Sequence, residues 1–187
     1  VLSIAAKSCL SKSKIVLREA NTADQEVKLG GIKLKTLNFL ARYTYPLADE
    51  VIAVSASVYA SLLNDYHLEE KKLNVIYNPI DFKYINQHAS CDIGMLEFLK
   101  KGDKLVVGIG RLSEQKNYKV LIDAISELVI KDKAYKLIIL GDGHLREELE
   151  LQITQKKLND HVFLLGYKDN VFPYLRLADI FVLCSLY

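Results

Sequence analysis

Cysteine is scarce in this sequence of 187 residues, the charges nearly balance, and no long hydrophobic run occurs. The three cysteines, Cys9, Cys91 and Cys184, lie far apart and form no CxxC pair. Their spacing disfavours a disulfide framework and indicates reduced thiols in a cytosolic protein. A net charge of only +2 disfavours extensive nucleic-acid binding. No apolar run approaches the roughly 20 residues that a membrane-spanning helix needs.

Metal-ligand and nucleophile motifs are also missing. The four histidines show no spacing typical of metal ligands, and the sequence contains neither a P-loop nor a nucleophile elbow. It has no internal repeat and no low-complexity tract. With 50% of its residues hydrophobic and 26% charged, the chain is predicted to be a globular protein with a substantial core.

Apolar strands alternate with helices along the chain, a pattern that predicts an α/β fold with parallel sheets. Strands are predicted over residues 14–19, 50–54, 73–77, 104–110, 136–140, 161–166 and 179–185. Helices are predicted over residues 1–14, 32–48, 57–66, 93–100, 118–132, 144–157 and 171–178. The expected N-cap residues are Ser55 or Ser57, Asn117 and Asn170. A boundary near Asn78–Asp81 predicts two Rossmann-like domains, residues 1–78 and 79–187, the first without its beginning and the second without its end.

The segment from Gly108 to Ile125 joins a strand to a helix and carries two glycines and two cations. Gly108 and Gly110 allow close backbone approach, and the helix N-terminus offers unpaired N–H groups. Together with Arg111 and Lys116 they suit a phosphate or diphosphate. A dinucleotide fingerprint is disfavoured, because a serine stands at its third glycine position and no acidic residue follows at the required distance. The alternative is a tight turn with solvated cations.

Glycines also follow the next two strands. Asp142 lies between Gly141 and Gly143, and Gly166-Tyr167 ends the strand after that. Because ligands bind at the carboxyl ends of strands in open α/β sheets, these residues are expected to shape one cleft. The alternatives are a plain strand-to-helix turn at Asp142 and a tyrosine that covers the sheet edge instead of stacking on a base.

One predicted helix of the first half is basic as well as apolar. It carries Lys33, Lys35 and Arg42 beside Phe39 and Tyr43. The pattern favours a helix that packs on the core with solvated lysines, and a peripheral contact with a membrane surface is the alternative.

These motifs together resemble the retaining GT-B glycosyltransferases of family 4 (glycosyl transferases group 1). The matching pieces of the second half are Gly110-Arg111-Leu112 with Lys116-Asn117, the turn Gly141-Asp142-Gly143, the stretch VFLLGYKDN and the stretch YLRLADIFVLCSLY. In the first half, ADEVIAVSASVYASLLNDY resembles the element before the family's hinge and VIYNPID resembles the hinge. The resemblance covers nearly the whole chain in the correct order.

The resemblance implies a nucleotide-sugar donor, carrying UDP or GDP, that binds in the second domain. Arg111 and Lys116 would contact the donor diphosphate and stabilise its charge during transfer, so that neither a metal nor a cofactor is expected. The implied donor-binding residues are Gly110, Gly141, Asp142, Gly143, Gly166, Tyr167 and Val171, with the nucleobase near Gly166–Tyr167. The acceptor would meet the loop after the first strand, where the candidate residues are Arg18, Glu19 and Asn21.

The expected acceptor is a saccharide or a lipid-linked saccharide in surface polysaccharide biosynthesis, at the cytoplasmic face of a membrane. The family's acidic motif would begin just after Tyr187, so the chain is expected to be a fragment that is inactive or nearly inactive alone. The alternatives are a GT-B sugar-nucleotide epimerase or phosphorylase, and a nucleotide-binding module without catalysis.

Overall fold

The computed structural model describes residues 14–22, 39–90 and 98–186. The chain divides into two compact units whose boundary lies between Ile80 and Asp81. Each unit contains one sheet of parallel strands together with helices, which confirms the predicted α/β class. The helix predicted over residues 1–14 lies outside the described residues, apart from its last residue.

The first unit is built on three parallel strands. They are β1 (Val16–Glu19), β2 (Glu50–Ala53) and β3 (Leu73–Val75), in the order β1-β2-β3. Helix α1 (Ala56–Tyr66) follows β2 and is capped by Ser55, whose Oγ accepts a hydrogen bond from the N–H of Val58 at 3.2 Å. The buried core of this unit comprises Ala48, Val51, Ala53, Val58, Leu62, Tyr66, Leu68 and Leu73.

Residues 39–44 are helical and lead into a 3₁₀ turn at Tyr45–Leu47. One side of this segment, with Ala41 and Tyr45, packs against the core of the first unit. Phe39 and Tyr43 are more than half exposed and contact each other with ring centroids 5.4 Å apart. Lys33 and Lys35 lie outside the described residues. Within the described ranges, no helix is long and apolar enough to cross a membrane.

The second unit contains a four-stranded parallel sheet in the order β6-β5-β4-β7. Its strands are β4 (Lys104–Ile109), β5 (Tyr135–Leu140), β6 (Val162–Gly166) and β7 (Ile180–Phe181). Its helices are α2 (Phe82–Ala89), α3 (Tyr118–Lys131), α4 (Arg146–Gln155) and α5 (Phe172–Leu177). A 3₁₀ turn at Glu114–Lys116 precedes α3.

The central strand β5 explains the layering of this unit. Successive side chains of a strand point to opposite faces, and every residue of β5 after Tyr135 is buried. Leu137 and Ile139 join a core cluster that includes residues of α3 and α4. Ile138 and Leu140 join a second cluster on the opposite face, which includes Tyr174 of α5. The sheet is therefore covered on both faces.

Three predictions for this half need correction. Helix α2 was not predicted, although Asp81 caps it by accepting a hydrogen bond from the N–H of Tyr84 at 2.9 Å. The helix predicted over 93–100 lies mostly outside the described residues, and its described part, 98–100, is not helical. The last strand is only Ile180–Phe181. The chain after it lies beside the 3₁₀ turn at Glu114–Lys116, where the N–H of Leu186 donates to the carbonyl of Gln115 at 2.9 Å.

Candidate functional site

Backbone hydrogen bonds join the loops that follow the three strands β4, β5 and β6. The N–H of Gly110 donates to the carbonyl of Leu140 at 2.9 Å, and the N–H of Gly141 donates to that of Gly166 at 2.8 Å. One step further out, the N–H of Leu112 donates to the carbonyl of Asp142 at 3.0 Å. The predicted convergence of these strand ends is therefore present, and the loops continue the order of the sheet.

A cavity of about 370 Å³ opens at this edge. It is lined by Ile109, Gly110, Arg111, Leu140, Gly141, Asp142, Tyr167, Lys168 and Val171. Six of the residues proposed from the sequence thus meet in one pocket, and Lys168 is an additional cation that the sequence reasoning did not identify. Neither the glycines of the motif nor the strand order indicated that Lys168 lines the cavity. Lys116, Gly143 and Gly166 do not line the cavity, and neither does the first turn of α3.

Two of the glycines lie so close to the backbone of a neighbouring loop that a side chain would collide with it. A Cβ atom on Gly141 would lie 2.1 Å from the carbonyl oxygen of Gly110, and the φ of Gly141 is +136°. A Cβ atom on Gly143 would lie 2.4 Å from the carbonyl oxygen of Leu112. The loop after β4 therefore packs directly on the loop after β5. Gly141 also lines the cavity, and the donor-binding role of both glycines stays a prediction.

Lys116 reaches the site from the 3₁₀ turn. Its Cε would be 3.0 Å from a Cβ atom built on Gly110, and the hydroxyl of Tyr118 would be 3.1 Å from the same point. The stem of the lysine thus passes over Gly110, next to the cavity. Asn117 stands at the predicted N-cap position of α3 with φ +55°, but its side chain makes no cap bond. The 3₁₀ turn separates the motif from the helix start, which explains why the helix N-terminus does not line the cavity.

The cations of the site differ in whether they have partners. Arg146 pairs with Asp142 (Nε to Oδ1, 3.0 Å) and with Glu150 (Nη1 to Oε1, 3.0 Å). In residues 14–22, 39–90 and 98–186, by contrast, no carboxylate forms a salt bridge with Arg111, Lys116 or Lys168. These three side chains can therefore offer positive charge to an anion without first breaking an ion pair.

Asp142 contributes its carboxylate to the loop. Its Oδ1 accepts hydrogen bonds from Arg146 Nε at 3.0 Å and from the N–H of Gly143 at 2.8 Å. These bonds hold the pKa of Asp142 below its usual range, the Arg146 bond contributing most. These bonds fix the turn between β5 and α4. They therefore support a strand-to-helix turn at Asp142, which was one of the two interpretations that the sequence allowed.

The bonds to Asp142 predict a pH dependence. A carboxyl whose pKa is lowered on folding contributes stability above its unfolded pKa and loses that contribution as the pH falls through the folded pKa. We expect a carbon-13 titration of the carboxyl to give a pKa below the ordinary aspartate value, and Arg146→Gln to raise it towards that value. The same pKa in both proteins would contradict the assigned cause.

The acceptor candidates lie at the carboxyl end of β1 in the first unit. A guanidinium N–H of Arg18 donates to Asn78 Oδ1. Glu19 Oε2 accepts from the hydroxyl of Tyr45 at 2.5 Å, and Oε1 accepts from the N–H of Ala20 and of Asn21 at 2.8 and 3.1 Å. Both carboxylate oxygens of Glu19 are thus engaged within this unit.

Metal-ligating side chains do not cluster in the described part of the chain. No group of three or more His, Cys, Asp or Glu residues is arranged there to hold a metal ion. The positive charge of the cavity is supplied by Arg111 and Lys168 in its lining and by Lys116 beside it.

Two family models match the chain. The family described as "Glycosyl transferases group 1" matches residues 97–187, and "Glycosyltransferase Family 4" matches residues 26–84. A Campylobacter jejuni N-acetylgalactosamine-N,N'-diacetylbacillosaminyl-diphospho-undecaprenol 4-alpha-N-acetylgalactosaminyltransferase is 30% identical over 95% of the chain and 46% of its own length. A second C. jejuni protein, an alpha-1,4-N-acetyl-D-galactosaminyltransferase named for an undecaprenol-linked substrate, is 33% identical over 97% of the chain and 45% of its own length.

Solved structures show the same fold. The Anabaena protein HepE in complex with UDP superposes with a TM-score of 0.77 at 21% identity, over 98% of this chain and 50% of that one. A glycosyltransferase from Rickettsia africae gives 0.71 at 16% identity, over 96% and 47%. The chain spans about half the length of these relatives. Residues 26–84 and 97–187 therefore match two glycosyltransferase family models, and the fold is that of the GT-B glycosyltransferases.

Proposed function

We propose that the second unit binds the nucleotide part of a UDP-sugar and that the whole protein transfers its sugar to a saccharide. The observation that carries this proposal is the cavity at the ends of β4, β5 and β6, in which Arg111 and Lys168 line the wall and Lys116 lies beside it. An anion held there meets cations that have no salt-bridge partner among the described residues. Uridine is favoured over guanosine because HepE was crystallised with UDP and with UDP-glucose.

The same cations suit the chemistry of sugar transfer. When the glycosidic bond of the donor breaks, the departing diphosphate gains negative charge. Preorganised cations stabilise that charge best in a cavity from which water is excluded. Arg111 can bind two phosphate oxygens with its planar fork, whereas Lys116 acts as a point charge. We propose that these two residues take the part that a divalent metal plays in other transferases, so that neither a metal nor a cofactor is needed.

We further propose a retaining reaction on a lipid-linked saccharide. Both C. jejuni relatives are named as alpha-N-acetylgalactosaminyltransferases with undecaprenol-linked substrates. An α-linked product formed from an α-linked nucleotide sugar retains its configuration. We propose that the reaction takes place at the cytoplasmic surface of the membrane that holds such an acceptor, with the exposed rings of Phe39 and Tyr43 as a peripheral contact.

The first experiment is a calorimetric titration of the 187-residue chain with UDP, UMP, GDP and pyrophosphate. We expect UDP to bind about tenfold more tightly than UMP, because the second phosphate adds charge-assisted hydrogen bonds. GDP should bind more weakly than UDP. Equal affinity for UDP and UMP would contradict the diphosphate site, and the absence of nucleotide binding would overturn the proposed function.

Sugar transfer is then measured with the whole protein of which these residues are part. Vesicles that contain an undecaprenyl-diphosphate saccharide are incubated with UDP-N-acetylhexosamines, and the anomeric configuration of the product is determined by NMR. A β-linked product would overturn the retaining assignment. Reversible epimerisation of the nucleotide sugar without transfer would identify an epimerase.

A further inference from the structure

The loop between β6 and α5 forms one wall of the cavity. Tyr167, Lys168 and Val171 all line the cavity from this loop, whereas Arg111 lies on the opposite side, at the end of β4. The ring of Tyr167 is 74% exposed. Exposed aromatic rings are surfaces on which nucleobases stack, whereas cations bind phosphates. Tyr167 is thus on the base side of the cavity, and Arg111 is on the phosphate side.

Asn170 holds this loop through both the oxygen and the nitrogen of its side-chain amide. Its Oδ1 accepts a hydrogen bond from the N–H of Phe172 at 3.1 Å, which starts α5. Its Nδ2 donates to the carbonyl of His88 at 3.0 Å, in the last turn of α2. The second bond joins residues that are 82 positions apart, and it connects the wall of the cavity to a helix that does not line it.

Helix α2 contacts α5 at further points beside the bond from Asn170. Its first turn is capped by Asp81, and the ring of Tyr84 stacks on that of His88 with centroids 3.8 Å apart. Tyr84 also meets Phe172 of α5 edge to face, with centroids 6.1 Å apart. A third contact runs from Arg176 Nη1 to the hydroxyl of Ser90 at 3.0 Å.

We propose that Asn170 is a positioning residue for the base side of the donor site. It fixes the wall formed by residues 167–171 against α2, so that Tyr167 and Val171 keep one arrangement around the nucleobase. The inference rests on the proposed function and adds the means by which this site holds its base. It also predicts different effects on the two parts of the ligand. Loss of the bond between Asn170 and His88 weakens the contacts to the base and leaves the phosphate contacts of Arg111 unchanged.

The test compares two variants of the 187-residue chain that keep an acceptor for the N–H of Phe172 and lose the donor to His88. In Asn170→Ser and in Asn170→Thr the side chain is too short to reach His88. Calorimetric titrations use UDP, UMP and pyrophosphate. Both variants should bind UDP and UMP about fivefold more weakly, the effect of one hydrogen bond, and should bind pyrophosphate with unchanged affinity.

Arg176→Ala is the matched control. It removes the hydrogen bond from α5 to Ser90 and keeps the bond between Asn170 and His88, so its loss of UDP affinity should be clearly smaller than that of the Asn170 variants. Thermal unfolding of each variant shows that it is folded at the titration temperature. Normal UDP affinity in either Asn170 variant, or an equal loss for pyrophosphate, would overturn the positioning role. Failure of the unaltered chain to bind UDP would instead overturn the proposed function itself.

Discussion

Replacing Gly141 with alanine is expected to destabilise the second unit by about 3 kcal/mol, because two separate costs add. The first is conformational, since Gly141 has φ +136° and an alanine is strained there. The second is steric, since the new Cβ would lie 2.1 Å from the carbonyl oxygen of Gly110, which cannot move without disturbing β4 and the hydrogen bond between Gly110 and Leu140. Urea unfolding gives the free-energy change.

Two other glycines separate these costs. Gly102 has φ +97° with nothing within 4 Å of a Cβ atom, so Gly102→Ala should show strain alone, about 1 kcal/mol. Gly143 lies outside the left-handed region, and its Cβ would collide with the carbonyl of Leu112 at 2.4 Å, so Gly143→Ala should show the collision alone. If Gly141→Ala is no more destabilising than Gly102→Ala, the packing of the two loops does not restrict this position.

Local patterns in the sequence predict the strands and the place of the cavity. Apolar runs such as KLIIL are long enough for one buried strand, and glycines stand at the ends of the runs KLVVGIG, KLIIL and HVFLLG. Because parallel strands end at the same edge, Gly110, Gly141 and Gly166 were expected to meet. The hydrogen bonds from Gly110 to Leu140 and from Gly141 to Gly166 confirm this expectation.

Contacts between distant residues were not predictable in this way. Helix α2 has few apolar residues and no buried one, and its place depends on Asn170 and Phe172, more than 80 residues later. A spacing rule gives no indication that Lys168 faces the cavity. The sequence also predicts room for a ligand beside Gly141, because glycine permits any close approach, whether by a ligand or by another loop. In the structure the Gly110 carbonyl lies against Gly141, which also lines the cavity.

Removing Arg111 or Lys116 is expected to lower the affinity for UDP about ten- to a hundredfold for each alanine variant, the range of one or two charge-assisted hydrogen bonds. Neither cation has a salt-bridge partner among the described residues, so neither variant leaves a carboxylate unpaired in the folded chain. Their effect should therefore fall on binding and not on stability. Pyrophosphate affinity should fall by the same factor, because both side chains are assigned to the phosphates.

Arg146→Ala is the matched control, since it removes one positive charge at the same edge of the sheet. The charge of Arg146 is already neutralised by Asp142 and Glu150, so its loss should change UDP affinity far less than the loss of Arg111. Arg111→Lys keeps the charge but loses the planar fork, and it should recover only part of the affinity. If the Arg146 variant binds UDP as weakly as the Arg111 variant, net charge and not a specific contact holds the diphosphate. If the Arg111 and Lys116 variants bind UDP normally, the diphosphate lies elsewhere.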